Sequence, residues 1–359
     1  MQRTRSIVAA AAALTLAATL AACSSSGNSG SNDSTASPSA TDTASAAATN
    51  GTDELKARTI TFAYTTPATF PYQDGAEKFK EVIEKASNGK ITVKLFPGGQ
   101  LGNERDMEEN ILNGGVTMGV TAGGLAQFSP IVNLFELPFL INGQEHMQKI
   151  IKSDIGTELA DLISSQGGFK VVGWFSTGDS AIQTVKNAVN TPDDLKGVKL
   201  RAQEAPSLVE SLKALGANPT PMPFGDIYSG VQTGLIEGAT LDWSSVNSLK
   251  LTELVHYSTT PDVAFLAEPR PVVVSQKYWD SMSSAEQALF TDAMNQASAY
   301  EFQVFNDRQA KAVADVKAAG VKVTEIDATP FVEKVKPVWS KWAKQLNAEE
   351  IVQKIDALR

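Results

Sequence analysis

Arg201 is the side chain whose type and setting best suit ligand chemistry. It closes the run Val198-Lys-Leu-Arg201, where a short strand stops. In open α/β sheets, the crevice beyond the carboxyl ends of the strands is where ligands bind. A guanidinium presents five donors in a planar fork that fits a carboxylate. Arg201 is therefore the candidate holder of a small anionic solute, the alternative being a structural ion pair with Asp193 or Glu204. Other chemistries lack their residues. The two histidines, His146 and His256, have no metal-ligand spacing, and H-E-x-x-H, G-x-S-x-G and G-x-x-x-x-G-K are all absent. Gly173-Trp-Phe-Ser176-Thr-Gly178 spaces its serine wrongly for a nucleophile elbow. The expectation is a binding protein, not an enzyme, with no cofactor and no metal. A secreted carboxylate-dependent hydrolase is the alternative that 40 acidic residues leave open.

The elements that must position Arg201 alternate short strands with amphipathic helices. Thr191-Pro-Asp-Asp has a cap residue, proline at the first helical position and two acids in the first turn. A helix follows over Pro206–Leu215, then the loop Asn218–Pro223, Phe224, a helix through Ile227, Tyr228 and Val231, and a strand within Leu235–Trp243. Upstream, strands at Thr59–Tyr64, Ile91–Phe96 and Gly114–Val120 alternate with helices around Phe79–Ala86 and over Glu104–Asn113, which predicts a mostly parallel sheet. A helix is expected over Gln144–Ser165, a strand over Phe169–Phe175, and a crossing strand at Val185–Val189. Trp174 reads as core. Val272–Ser275 is a short strand. Ser283-x-x-Glu286 is a capping box opening a helix to Ala319, long enough at ~50 Å to brace two domains. Phe331–Leu358 reads as helical.

The first 22 residues read as a secretory leader: Arg3 and Arg5 form a basic start, and Ile7–Leu20 an Ala/Leu-rich core too short to span a membrane. Leu20-Ala-Ala-Cys23 looks like a bacterial lipobox, with Cys23, the only cysteine, lipidated as the mature N-terminus. The Ser/Thr/Ala/Gly-rich stretch to residue 57 cannot bury enough apolar surface to fold and reads as a tether. Without the leader, 29 basic residues stand against 40 acidic ones, and no basic tract exists, so nucleic acid is not an expected partner.

Further motifs occur in order: Gly197-Val-Lys199-Leu-Arg201, Gly216-Ala-Asn-Pro-Thr-Pro-Met222, Asp226-x-Tyr228-x-x-x-Gln232-Thr233-Gly234 and Glu237-Gly238. Phe96-Pro-Gly-Gly-Gln-Leu-Gly102 and Leu137-Pro138-Phe139 precede them. Together they resemble the solute-binding proteins of tripartite ATP-independent periplasmic (TRAP) transporters, the C4-dicarboxylate-binding, DctP-like family, here in lipoprotein form. The resemblance implies a two-domain α/β periplasmic-binding-protein-like clamp with a long bracing helix. It closes on a small organic acid and delivers it to TRAP membrane permease subunits from the outer face of the cell membrane, anchored through Cys23. Domain I would comprise 58–182 and 271–300, and domain II 183–270 and 301–359, with hinges near Val185 and Val272. The resemblance carries the ligand carboxylate onto Arg201, the neighbouring aromatic onto Phe224, and a cleft-lining loop onto Thr240, Asp242 and Trp243. Thr121–Gly124 would face the cleft from domain I. Basic residues that other members carry correspond to Ser180 and Asn187, and Glu204 and Asp179 add negative charge at the mouth. One arginine among acids favours a monocarboxylate with hydroxyl or amino groups over a simple dicarboxylate. An ATP-driven importer's binding lipoprotein is the other clamp-type alternative.

Overall fold

The computed structural model describes residues 55–260 and 264–359. The leader, Cys23 and nearly all of the tether lie outside the described residues.

The chain begins with β1 (Arg58–Ala63), α1 (Tyr72–Ala86), β2 (Ile91–Phe96), α2 (Glu104–Asn113) and β3 (Met118–Val120). α1 turns Ala76, Phe79 and Ile83 inward at helical spacing. α2 starts where the Asn103 side chain accepts from the Asp106 backbone, and it stops at Gly114, whose φ of 82° suits a residue without Cβ. After two 3-10 turns come α3 (Gly143–Ile151) and α4 (Asp154–Gly167). The single helix expected over Gln144–Ser165 is thus two, because the Ser153 hydroxyl accepts from Ile155 N at 3.2 Å and starts a new helix.

β4 (Phe169–Thr184) runs 16 residues, far past the expected end at Phe175. The crossing strand expected at Val185–Val189 does not form: β4 ends at Thr184, whose hydroxyl donates to Asn187 O at 2.5 Å and turns the chain away. Next come β5 (Lys199–Ala202), α5 (Pro206–Ala214), β6 (Asn218–Pro221), α6 (Ile227–Gln232), β7 (Gly238–Asp242), α7 (Trp243–Ser248) and β8 (Tyr257–Thr259). β6 carries two prolines yet forms a strand because it pairs only with β5 at the sheet edge. β9 (Leu266–Ser275) is ten residues long, although only Val272–Ser275 was expected as strand. Its Pro269 and Pro271 lie beyond the last β3 pair, Val120↔Val272, where β9 no longer pairs with β3.

α8 (Gln276–Asp280) leads into α9 (Ser284–Ala318), then β10 (Lys322–Thr324), α10 (Thr329–Gln345) and α11 (Glu349–Ala357). The capping box at Ser283 and Glu286 forms as expected. Asn347, at φ 52°, breaks the C-terminal helical stretch in two.

The strand order is β2-β1-β3-β9-β4-β7-β5-β6. The two wings, β2-β1-β3 and β7-β5-β6, are parallel inside. The centre is antiparallel: β4 pairs with β9 and then with β7. The sheet is therefore mixed, and the expected parallel order holds only in its wings. β4 and β9 run between the wings, with a register shift between Ser176 and Asp179. Within it, Gly178 has φ 82°, and a Cβ there would meet the Phe305 ring at 2.2 Å. α9 braces both halves: Phe290, Met294 and Ala297 pack with β1 and α1, while Ala312 and Val316 pack with β7 and α7.

Candidate ligand-binding cleft

The parallel wing β7-β5-β6 presents the carboxyl ends of β5 and β7 to a cleft that faces β3, β9 and α2. Arg201 stands near the end of β5, with Leu200 and Ala202 buried on either side of it. It is 5% exposed, and among the described residues its one hydrogen bond runs from Nε to Met222 O at 3.0 Å. The terminal nitrogens, which form the carboxylate-binding fork, have no acceptor among the described residues. Burial lowers the Arg201 pKa to about 10, and Glu136, Glu104 and Glu268 oppose that fall, so the group stays cationic at neutral pH. Neither Asp193 nor Glu204 pairs with it; Asp193 bonds Lys196 and Lys334 instead.

A second arginine shares the cleft. Arg270 projects from β9 and is fully committed at its terminal nitrogens. Nη2 meets Glu268 Oε2 at 2.8 Å, while Nη1 donates to Gln203 Oε1 at 3.2 Å and lies 3.7 Å from Glu136 Oε1. Gln203 Nε2 donates to both Glu136 (3.1 Å) and Glu268 (2.6 Å). These four side chains form one buried network. Burial and the charge of Glu268 push Glu136 well above the carboxylate range, which disfavours its charged form. Burial also raises Glu104 at the start of α2, against the pull of Arg270, the Ala122 amide and Arg201. Behind it, Glu108 is raised well above the carboxylate range by burial and by the neighbouring Glu104.

Four buried polar atoms in the cleft wall lack partners among the described residues: the hydroxyls of Thr66, Thr177 and Thr240, and Arg270 Nε. Buried polar groups are nearly always paired, so atoms left open around one cavity mark what a ligand must satisfy. Their character is three hydroxyls to one N–H.

Of the expected site residues, Arg201, Phe224, Thr240, Asp242, Ser180 and Thr121 line this cleft. Thr121 is partly spoken for, because its hydroxyl donates to Pro271 O at 2.9 Å. Three expected positions fall elsewhere. Trp243 is 2% exposed and packs with Met222, Ile227 and Val246, since α7 turns it inward, away from the cavity. Glu204 lines a separate groove with Pro206, Val209 and Lys213. Asn187 is exposed beside Lys186 and Glu237, beyond the turn that ends β4. Gly123 and Gly124 lie behind the lining: a Cβ on Gly123 would meet Glu136 at 2.9 Å, and one on Gly124 would meet Glu104 at 3.1 Å.

Arg270, Glu268, Gln203, Glu104 and the orphan threonines Thr66 and Thr177 were not anticipated. For Arg270 a signal existed: Glu268 and Arg270 are two charges inside an otherwise apolar run, Ala264–Val274. The intervening prolines hid the strand that carries them.

Among the described residues no group of three or more His, Cys, Asp or Glu is placed to hold a metal ion. His146 is structural: its Nδ1 accepts from Asn142 N at 2.9 Å and its Nε2 meets Ile355 O at 2.8 Å.

Residues 62–345 match the family model of the bacterial extracellular solute-binding proteins, family 7 (DctP). The chain belongs to this family. Its members are solute-binding proteins and not enzymes, and their place is outside the cytoplasm. The chain is 29% identical to the 2,3-diketo-L-gulonate-binding periplasmic protein YiaO of Escherichia coli K12, over 78% of this chain and 85% of that one. It is 27% identical to the C4-dicarboxylate-binding periplasmic protein DctP of Rhodobacter capsulatus, over 81% and 91%. A TRAP periplasmic solute-binding protein from Pseudomonas putida F1, crystallised with D-glucuronate, superposes with a TM-score of 0.79 at 32% identity, covering 83% of this chain and 97% of that one. The DctP-family chain thus has the two-domain periplasmic-binding-protein fold of TRAP receptors for small acids.

Proposed function

We propose that this DctP-family protein captures a polyhydroxylated monocarboxylic acid, of the aldonic or uronic type, and delivers it to a TRAP permease. The ligand carboxylate sits on the free fork of Arg201. Its hydroxyls satisfy Thr66, Thr177 and Thr240, and Phe224 packs against its carbon face. The carrying observation is the pairing of one uncommitted arginine with three unsatisfied threonine hydroxyls in a single cleft. Two of the relatives, from Escherichia coli and Pseudomonas putida, bind sugar acids by name.

A simple dicarboxylate fits less well, for a reason other than the one expected. The cleft has two arginines, not one, but Arg270 already holds Glu268, Glu136 and Gln203. A second carboxylate would meet Glu104, Glu268 and Asp242 with no free cation to receive it. Family membership favours a TRAP permease over an ATP-driven importer as the recipient.

In this function the wings move about β4 and β9 at the register shift near Ser176–Asp179, closing on the ligand. Domain I (58–182 and 271–300) and domain II (183–270 and 301–359) are the moving bodies, and lipidated Cys23 ties the receptor to the membrane. The test is calorimetric titration of the purified protein with D-glucuronate, D-galacturonate and succinate, together with mass spectrometry of whatever co-purifies. Binding of the sugar acids with weak or no binding of succinate is the expected result. Tight succinate binding without sugar-acid binding would overturn it.

A further inference from the structure

Asp242 is a buried carboxyl on the wall of an anion's cavity, and among the described residues it has no cationic partner within ion-pair distance. It ends β7 and caps α7, with Oδ1 accepting from Ser245 N at 2.9 Å and Oδ2 from the Ser245 hydroxyl at 2.5 Å. The groups facing it are Arg270 and Glu268 from β9 and Tyr72 from α1, with Glu301 of α9 behind Tyr72. Arg201 and Glu104 line the same cavity from β5 and α2. On β4, Asp179 lies on the other face, near Gly143 and Gln144.

The charges of this cleft can be counted. Burial raises Glu108 and Glu136 and so disfavours their charged forms, and Arg270 is paired with Glu268. Arg201 and Glu104 then offset one another, which leaves Asp242. A ligand carboxylate entering this desolvated space adds a second uncompensated negative charge, and the interior charges that survive are those that are paired. We infer that capture of the organic anion is coupled to the uptake of one proton on Asp242, so that the receptor holds the elements of the neutral acid. The proton comes from the buffer and is placed on an Asp242 carboxyl oxygen. A proton on Oδ2 takes the place of the bond from the Ser245 hydroxyl and makes that oxygen a donor to the ligand, while the Ser245 amide keeps its bond to Oδ1.

In the empty cleft burial raises Asp242 to about 7, against the pull of the Ser245 donors and Arg270. Ligand acids are ionised at this pH. Uptake is therefore partial at neutral pH and approaches one proton per ligand near pH 8. Glu104 is the competing acceptor, and the variants below separate the two.

This inference rests on the cleft being an organic-acid site. The test is calorimetric titration of the full chain with D-glucuronate, D-galacturonate and succinate, from pH 5.5 to 8.5, in buffers of high and low ionisation enthalpy. Near pH 8 the observed enthalpy should report about one proton taken up per ligand, and near none at pH 5.5. Kd should rise about tenfold per pH unit above pH 8, as a one-proton linkage requires. Asp242→Asn keeps an acceptor for the Ser245 amide and should abolish uptake and flatten the pH profile, while Glu104→Gln should retain uptake. Binding without proton uptake in the wild-type protein, or uptake that persists in D242N, would overturn the inference and leave the site intact. Failure of all three acids at every pH would overturn the organic-acid site and this inference with it.

Discussion

Arg201 and Arg270 line one cleft, but only Arg270 is already bonded through both terminal nitrogens. Arg270 holds Glu268 at 2.8 Å and Gln203 at 3.2 Å, whereas Arg201 makes a single bond among the described residues, from Nε to Met222 O. Identical side chains 69 positions apart in the sequence therefore play different parts. One completes the wall, and the other waits for an anion.

Arg201→Met should reduce affinity for the cognate acid by about a hundredfold or more, the value of a charge-assisted bidentate contact in a desolvated site. The melting temperature of the empty protein should change little or rise, because the variant removes a buried charge that lacks a close ion-pair partner. Calorimetry and thermal melting on the same sample check both halves. A large fall in stability with unchanged affinity would make Arg201 structural.

Arg270→Met should do the opposite first. It leaves Glu268 buried without its cation and removes the donor to Gln203 Oε1, a loss of roughly 3–5 kcal/mol for a broken buried pair. Chemical denaturation should show that loss without ligand present. Binding would fall as well, since the wall it orders is the wall of the site.

Glu286 supplies a pH-dependent part of stability at the start of the brace. Its carboxylate takes Arg58 Nε at 2.8 Å and Nη2 at 3.0 Å, the Lys56 amide at 3.0 Å, and the Ser283 amide at 2.8 Å. The Arg58 hydrogen bonds, helped by the backbone donors, hold its pKa down at about 2 against burial. Because the folded value is depressed, this stabilisation is fully present above the ordinary carboxylate range. It is lost as pH falls from about 4.5 towards 2. Glu286→Gln should lower the melting temperature clearly at pH 7, and the gap to wild type should shrink below pH 4. A gap independent of pH would show that shape, not charge, sets the contribution of this residue.

Much of this cleft was legible where local signals agree. Asn103 and Ser283 cap helix starts with their side chains, and Gly114 ends a helix because it lacks a Cβ, all within four residues, so α2 and the start of α9 could be read directly. Arg201 was legible because it stands near the end of a short strand and its motifs occur in order. Arg270 was not, because prolines normally exclude a strand. Pro269 and Pro271 are accommodated only because β3 ends at Val120, a fact about a partner some 150 positions away. The same distance problem moved Trp243 from the cleft to the core: the direction in which α7 leaves β7 depends on the packing of α9 and not on the local sequence. β4 was read short because its alternation lapses through Ser176-Thr-Gly-Asp179, where the strand shifts register instead of stopping.

The orphan hydroxyls offer the sharpest separation of ligand from scaffold. Thr240 on β7 is 4% exposed, and its Oγ1 has no hydrogen-bond partner among the described residues. Valine has nearly the same shape without the hydroxyl, so Thr240→Val removes an unsatisfied group and should leave stability unchanged or slightly raised. Any ligand hydroxyl that bonds Thr240 would then lose its partner in a dry cavity, at a cost of about 1–3 kcal/mol, or roughly five- to a hundredfold in Kd. The loss should be selective. An acid without hydroxyls, such as succinate, has nothing to offer Thr240, and whatever weak affinity it has should be unchanged. Parallel titrations of wild type and T240V with D-glucuronate and succinate decide the matter. Equal losses for both acids would mean that the substitution disturbs the cleft as a whole, and that Thr240 does not read the ligand's hydroxyls.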